Sequence, residues 1–423
     1  MTNRKFYSLL AGLLSLKLFL HFLTNTRYGL HRDAYLYLSY AEHPGWGYME
    51  GPPFMAVLSV LSYWLGGSDF AVRLFPALAG CVILCAMAYL IRRLGGGVWA
   101  LFIASTAFLF APAYLRGNTL FQPVSFNQMW WTLLAIQVSL LVHTGRRRHW
   151  YWAGGIFGLG LLTKYSIAFY GLALLVPVLI LRWQNLGSKH LYLAAALALL
   201  LFSPNLLWQV QHDWPLLAHM EELRRTQLVN VSLGRFLLMQ PLMLFGGMVT
   251  ALAGLIYSFR QKASSVLGIA YLITLALLLL LSGKPYYLLG AYPALFVLGG
   301  LALERGLRQK AARRAYVIAS AVLSLVLLPY SLPVLSLPQM EKYSAYMDRT
   351  LGLSAPLIWE DGQRYTIPQD YADMHGWDEM AERVAKVYHS LPDSLQENCL
   401  LLGGSYGHAG TINHHRKRLQ LRS

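Results

Sequence analysis

Runs of about twenty apolar residues, parted by short and mostly basic connections, recur along most of this 423-residue chain. A helix needs about 20 such residues to cross the hydrocarbon core of a bilayer. In lipid the backbone groups must be satisfied within the segment itself, so a repeated run of this kind leads to a bundle of spanning helices. The runs fall at 6–25, 70–91, 96–114, 125–143, 150–163, 166–182, 190–208, 236–258, 265–282, 287–303 and 315–334. They predict an all-α polytopic membrane protein of about eleven spans. The fifth run is rich in glycine (Gly154, Gly155, Gly158, Gly160), which suits tight helix packing. A further apolar stretch, Phe54 to Leu65, is too short to span and is expected to lie on the membrane surface. Charged residues make up 13% of the chain, about half the usual share of a soluble domain.

The net charge of +16 belongs to the part before Pro338, which holds 26 Lys and Arg against 8 Asp and Glu. These cations sit in loops between apolar runs, as insertion dictates, so nucleic-acid binding is not expected. With the N-terminus in the cytoplasm, 16 basic residues fall inside and 9 in the opposite short loops. The positive-inside rule therefore predicts a cytoplasmic N-terminus and an extracytoplasmic C-terminus. Of the 8 acids, seven lie on the outer side and only Glu304 inside. Asp and Glu contribute little to topology, and an outward-facing polar site is the simplest cause of that bias. The first run carries Lys17 and His21 and lacks a small-residue cleavage pattern, so it reads as a retained anchor. Lys17 must snorkel or face the protein interior.

No P-loop, G-x-G-x-x-G or G-x-S-x-G pattern is present, nor any metal-ligand spacing. Cys81 and Cys85 read as core packing, and His408, His414 and His415 as solvated surface. The chemistry concentrates in the first outer loop, 25–69. Asp33, Tyr35, Tyr37, Ser39 and Tyr40 begin a short amphipathic helix, and Pro52-Pro53 fixes extended backbone after Glu50. Acids (Asp33, Glu42, Glu50) and aromatic rings beside a membrane suit a sugar, whose hydroxyls need acceptors and whose C–H face stacks on rings.

Arg32-Asp-Ala-Tyr-Leu-Tyr-Leu, Gly45-Trp-Gly-Tyr-Met-Glu-Gly-Pro-Pro53 and Arg73-Leu-Phe-Pro-Ala-Leu-Ala-Gly80 resemble the GT-C membrane glycosyltransferases. Within them the chain looks like the bacterial branch related to protein mannosyltransferases and the lipid A aminoarabinose transferase. Leu161-Leu-Thr-Lys-Tyr-Ser166, Gly283-Lys-Pro-Tyr-Tyr-Leu-Leu-Gly-Ala-Tyr-Pro293, Pro338-Gln-Met and Ala372-Asp-Met-His-Gly-Trp377 follow in the same order. The resemblance implies an enzyme of the bacterial inner membrane that moves a sugar from a polyprenyl-phosphate donor to a glycan, lipid or protein acceptor, with inversion. It also implies Asp33 as the general base, with Glu50 as a second catalytic candidate and a divalent metal as an optional cofactor. Lys164, Lys284, Arg32 and Arg116 would receive the phosphate. Tyr35, Glu42, Asn127, Tyr165, Tyr286 and Tyr287 complete the expected substrate-binding set. Three positions depart from the family pattern: Ala34 where many members carry a second acid, Gly51 where the aminoarabinose branch has Lys, and Asn127 where relatives often have Asp. Asn can bind a hydroxyl but cannot act as a base.

The chain divides into a membrane part, 1–337, and a small outer cap, 338–423. The cap is expected to be α/β, with a helix carrying Met380, Val384 and Val387–Tyr388 on its apolar face, a strand at 398–403, and a glycine-rich turn at 403–410. It ends where related chains usually continue, so it reads as truncated and as leaning on the membrane part. A flippase or transporter, or a non-catalytic lipid-binding relative, is the alternative reading. A transporter should carry ionisable groups or broken helices near the midplane, whereas here the polar residues gather at one face.

Overall fold

The computed structural model describes residues 3–421. The helices run in chain order as α1 (Asn3–Thr24), α2 (Arg32–Ser39), α3 (Phe54–Trp64), α4 (Asp69–Arg93), α5 (Val98–Leu109), α6 (Pro112–Gly117), α7 (Pro123–Thr144) and α8 (Arg148–Leu161). Then come α9 (Ile167–Leu181), α10 (Lys189–Gln211), α11 (Pro215–Thr226), α12 (Leu233–Leu244), α13 (Met248–Ser258), α14 (Ser265–Leu280), α15 (Tyr292–Gly306) and α16 (Lys310–Leu325). The C-terminal part adds α17 (Leu328–Ser331), α18 (Leu337–Leu351), α19 (Gln369–Ala372), α20 (Trp377–His389), α21 (Asp393–Gln396) and α22 (Tyr406–His415).

Each predicted apolar run is largely helical. Among the described residues, five helical stretches are long and apolar enough to cross a membrane: Asn3–Thr24, Asp69–Arg93, Lys189–Gln211, Leu233–Ser258 and Pro285–Gly306. The chain is a multi-pass membrane protein. Its helices pack through backbone approach as much as through side chains. Gly154 and Gly158 of α8 lie against the backbone of α10 at Ala194 and Ala198, and Gly254 of α13 and Gly299 of α15 lie against each other's helices with no room for a methyl group. Small residues at such crossings let lipid-embedded helices gain van der Waals contact. Lys17 faces the protein interior: its ammonium donates to Asn118 Oδ1 (2.8 Å), lies 3.3 Å from His21 Nε2 and sits over the Phe108 ring.

The surface stretch forms α3, whose Val57 and Trp64 stay exposed while Met55, Ala56 and Leu58 are buried. That asymmetry is what a helix lying in the headgroup region needs.

The cap departs from expectation. Residues 398–403 form no strand, and the regular structure in the described part of the cap is helical apart from an isolated bridge between Ile358 and Arg364. No second strand is there to pair with, so a lone extended segment has nowhere to place its backbone hydrogen bonds. The glycine-rich turn is the start of a helix, α22, capped by Ser405, whose side chain accepts from the His408 N–H. On α20 the buried face is Ala381, Ala385 and Tyr388, while Val387 is 65% exposed. Gly410 of α22 approaches the Tyr35 carbonyl of α2 so closely that a Cβ there would sit 2.8 Å from the oxygen. Tyr35 itself is buried between α2 and the cap, against Trp377, His414 and His415. Those two histidines are thus interface residues rather than solvated surface, and His415 pairs with Asp378 (2.6 Å). Cys85 is exposed rather than packed in the core.

Candidate active site

The first outer loop is held from below by Arg73 of α4. Its buried guanidinium donates to the carbonyls of Asn25, Tyr28 and Gly29. The fixed segment delivers His31 as the N-cap of α2, with its Nδ1 accepting the Asp33 N–H (3.1 Å). Asp33 therefore stands in the first turn of α2, where the helix dipole favours a carboxylate. Both its oxygens are engaged. Gln122, the N-cap of α7, donates Nε2–H to Oδ2 (2.9 Å), and the Tyr406 hydroxyl of α22 donates to Oδ1 (2.7 Å).

A network of cations and acids continues behind Asp33. The Arg32 Nε lies 3.2 Å from Asp373 Oδ2 and 3.6 Å from Asp33 Oδ1. Arg116 donates Nε–H to Asp370 Oδ2 (3.2 Å) and lies 4.1 Å from the Tyr371 ring centroid. Burial pushes the Asp370 carboxyl up, but Arg116 and His31 outweigh it and hold it below the ordinary range. Burial wins at Asp373, raising it against the opposing charges of His31 and Arg32. The two arginines expected to receive phosphate are thus committed to carboxylates of the C-terminal part. Asp370, Asp373, Tyr406, His31 and Gln122 escaped the sequence reading. Asp373 carried a signal within the Ala372–Trp377 segment, and Tyr406 lay in the glycine-rich stretch at 403–410.

The lysines behave differently from each other. Lys284 bonds both Gln227 and Glu360. The ammonium of Lys164, between α8 and α9, makes no hydrogen bond or ion pair among the described residues. Its ammonium lies over the Tyr287 ring (4.6 Å) and the Tyr286 ring (5.6 Å). Burial first, and then the charge of Lys284, press its pKa down from 10.5 to about 8, against the pull of Glu360 and Asp33. His219 of α11 is held low chiefly by burial and feels Glu50, Lys284 and Lys164. Asp33, Glu50, both lysines and His219 therefore bear on one another at the same end of the bundle.

The remaining expected residues shape the walls. Glu50 accepts from the Tyr40 hydroxyl (2.9 Å), and the Tyr40 and Tyr48 rings stack at 3.6 Å. Tyr165 donates to Asn205 Oδ1 and accepts from Gln209, while Asn205 donates to the Trp46 carbonyl and ties the first loop to α10. Asn127 donates to Ser166 (3.2 Å), leaving its buried Oδ1 without a partner. Glu42 lies at the rim, 4.0 Å from Arg416. Tyr35 points away from this space into the cap interface. Among the described residues no three His, Cys, Asp or Glu side chains converge as a metal set. Of the acids around His31, Asp370 and Asp373 are turned to Arg116 and Arg32, and Asp33 to Gln122 and Tyr406.

Residues 50–208 match the family model described as dolichyl-phosphate-mannose-protein mannosyltransferase. No curated protein matches the sequence. The crystal structure of ArnT from Cupriavidus metallidurans bound to undecaprenyl phosphate superposes with a TM-score of 0.65 at 18% identity, over 96% of this chain and 85% of that one. The Archaeoglobus fulgidus oligosaccharyltransferase, in complex with zinc and sulfate, gives 0.50 at 14% identity, over 87% of this chain and 58% of that one. Arabinofuranosyltransferase AftD from Mycobacteria gives 0.52 at 17%, over 83% of this chain and 29% of that one. At these identities the shared feature is the fold. Together with the family match, it bears out the resemblance to the GT-C membrane glycosyltransferases of the branch related to ArnT and the protein mannosyltransferases.

Proposed function

We propose that this protein transfers a sugar from a polyprenyl-phosphate donor to a hydroxyl-bearing acceptor at one membrane face, with Asp33 as general base. The observation that carries this reading is the pairing, at one end of the bundle, of a carboxylate in a helix first turn with an ammonium that has no protein acceptor. Lys164 is charged over most of the physiological range and lacks a counter-ion in contact, so a lipid-linked phosphate would supply it. Asp33 takes the proton of the acceptor hydroxyl. The acceptor oxygen bonds to the anomeric carbon as the carbon–oxygen bond to phosphate breaks. Lys164 stabilises the charge that gathers on the departing polyprenyl phosphate, and a single displacement inverts the anomeric centre. The acceptor hydroxyl must share or displace one of the two donors on Asp33, Tyr406 at Oδ1 or Gln122 at Oδ2. The fold shared with ArnT, solved with undecaprenyl phosphate, supports a donor of that class. Mainly the membrane-borne helices and the helical cap would frame the two substrates.

The test is to reconstitute the purified protein with radiolabelled polyprenyl-phosphate sugars and a bacterial envelope extract. Sugar incorporation with release of polyprenyl phosphate is expected. Tight donor binding with neither product, across a panel proven active with a known transferase, would favour a non-catalytic lipid-binding protein.

A further inference from the structure

At the end of the bundle away from Asp33 lies a cavity of about 150 Å³ between the α7–α8 turn and the α9–α10 connection. Arg147, Trp150, Arg182, Asn185, Ser188 and His190 supply most of its lining. The charge around it is one-sided. The sequence holds no Asp or Glu from residue 70 to residue 212, so no nearby acid in the chain offsets Arg146, Arg147, Arg148, Arg182 and Lys189. Glu304, the only acid in the loops predicted to share this end, accepts from the N–H groups of Gly97 (2.8 Å), Trp99 (3.1 Å) and Ala100 (3.1 Å) at the start of α5.

The lining groups are donors. Arg182 gives one guanidinium nitrogen to the Val142 carbonyl (2.8 Å), across Gly145, which ends α7 in the left-handed region. Its other N–H groups find no acceptor among the described residues. His190 has Nδ1 2.6 Å from the Tyr151 hydroxyl. With that hydroxyl donating, the ring carries its proton on Nε2 and offers it outward. Ser188 makes no capping bond to α10, so its hydroxyl is uncommitted to the helix. Trp150 is buried in the wall, whereas Trp152 and Trp183 nearby are 63% and 70% exposed. Exposed tryptophans gather at headgroup depth, which sets the cavity level with lipid phosphates.

We propose that this cavity binds a phosphate-bearing anion, either the head group of an anionic membrane lipid or free phosphate. Guanidinium forks match phosphate oxygens, and basic pockets between membrane helices hold anionic head groups. The site is separate from the proposed transfer site, and its test does not depend on activity.

Native mass spectrometry of the purified protein would count adducts after exposure to phosphatidylglycerol or phosphatidylcholine. One retained phosphatidylglycerol is expected, and the double variant Arg147→Gln/His190→Gln weakens it at least about fivefold, since the Arg147 cation near the surface contributes about fivefold and the neutral His190 ring adds only an N–H donor. Displacement by millimolar inorganic phosphate supports free phosphate as a ligand. Resistance to it supports the lipid head group. Ser188→Leu, which fills the cavity and keeps the charges, should also weaken the adduct and serves if the double variant does not fold. Equal retention of phosphatidylcholine overturns the proposal. So does an equal loss in Arg308→Gln/Arg314→Gln, which removes exposed charge outside the cavity.

Discussion

Lys164 offers the sharpest perturbation, because its two consequences run in opposite directions. A pKa lowered from 10.5 to about 8 corresponds to about 3 kcal/mol by which the folded state disfavours the charged form relative to the unfolded chain. The sign follows from linkage. Below pH 8 the ammonium is charged in both states and the folded protein carries the full penalty; between about 8 and 10.5 only the unfolded chain stays protonated and the penalty fades. Stability from this group therefore rises with pH through that window. Lys164→Met removes the penalty and should raise the melting temperature at pH 7 in a non-ionic detergent, and should flatten its rise toward pH 10. The same substitution removes the proposed phosphate contact. A charge-assisted bond to phosphate is worth about 2 kcal/mol, or about thirtyfold in affinity. Binding of a radiolabelled polyprenyl phosphate should weaken by that factor. In the native protein, affinity should fall by about thirtyfold in all as pH rises from about 8 to about 10 and then level off, while Lys164→Arg, charged throughout, should lose that alkaline fall. Unchanged affinity in Lys164→Met, or a native affinity flat from pH 7 to 10, would refute the assignment.

Three further expectations follow from contacts elsewhere. Gly410→Val forces α22 away from the Tyr35 carbonyl; overpacking of this kind costs about 1–3 kcal/mol, so limited proteolysis should release the cap at lower protease while the membrane helices stay resistant. Tyr406→Phe removes one hydrogen bond to Asp33 but leaves the base, so transfer should fall by less than about tenfold, against about a hundredfold or more for loss of the base itself. Glu304→Ala strips three N–H groups of α5 of their acceptor and should lower stability by about 2 kcal/mol in thermal unfolding, with transfer per folded molecule unchanged.

The helices were legible because apolar length and surrounding charge are local properties. The runs at 70–91 and 190–208 became α4 and α10, and Phe54–Leu65 became α3, since each stretch decides its own solvent. The first loop was legible for a similar reason: Asp33 opens a helix whose cap, His31, is two residues away. What stayed hidden depends on distant pairing. Arg32 and Arg116 look free in sequence, and only the fold brings Asp373 and Asp370 to them across more than 250 residues. Tyr406 lies 373 positions from Asp33. Tyr35 looked like a sugar platform because aromatic rings in a polar loop serve either role, and its burial is decided by α22. The strand expected at 398–403 failed because apolar content alone cannot supply a pairing partner.

The most direct test of the account compares the native protein with Asp33→Asn, measuring sugar transfer and polyprenyl-phosphate binding on the same reconstituted samples. The amide keeps the shape and can still accept from Tyr406, but cannot take a proton from the acceptor. Transfer should drop by about a hundredfold or more, with donor affinity within a few-fold of native. Transfer that survives the substitution would contradict Asp33 as the base.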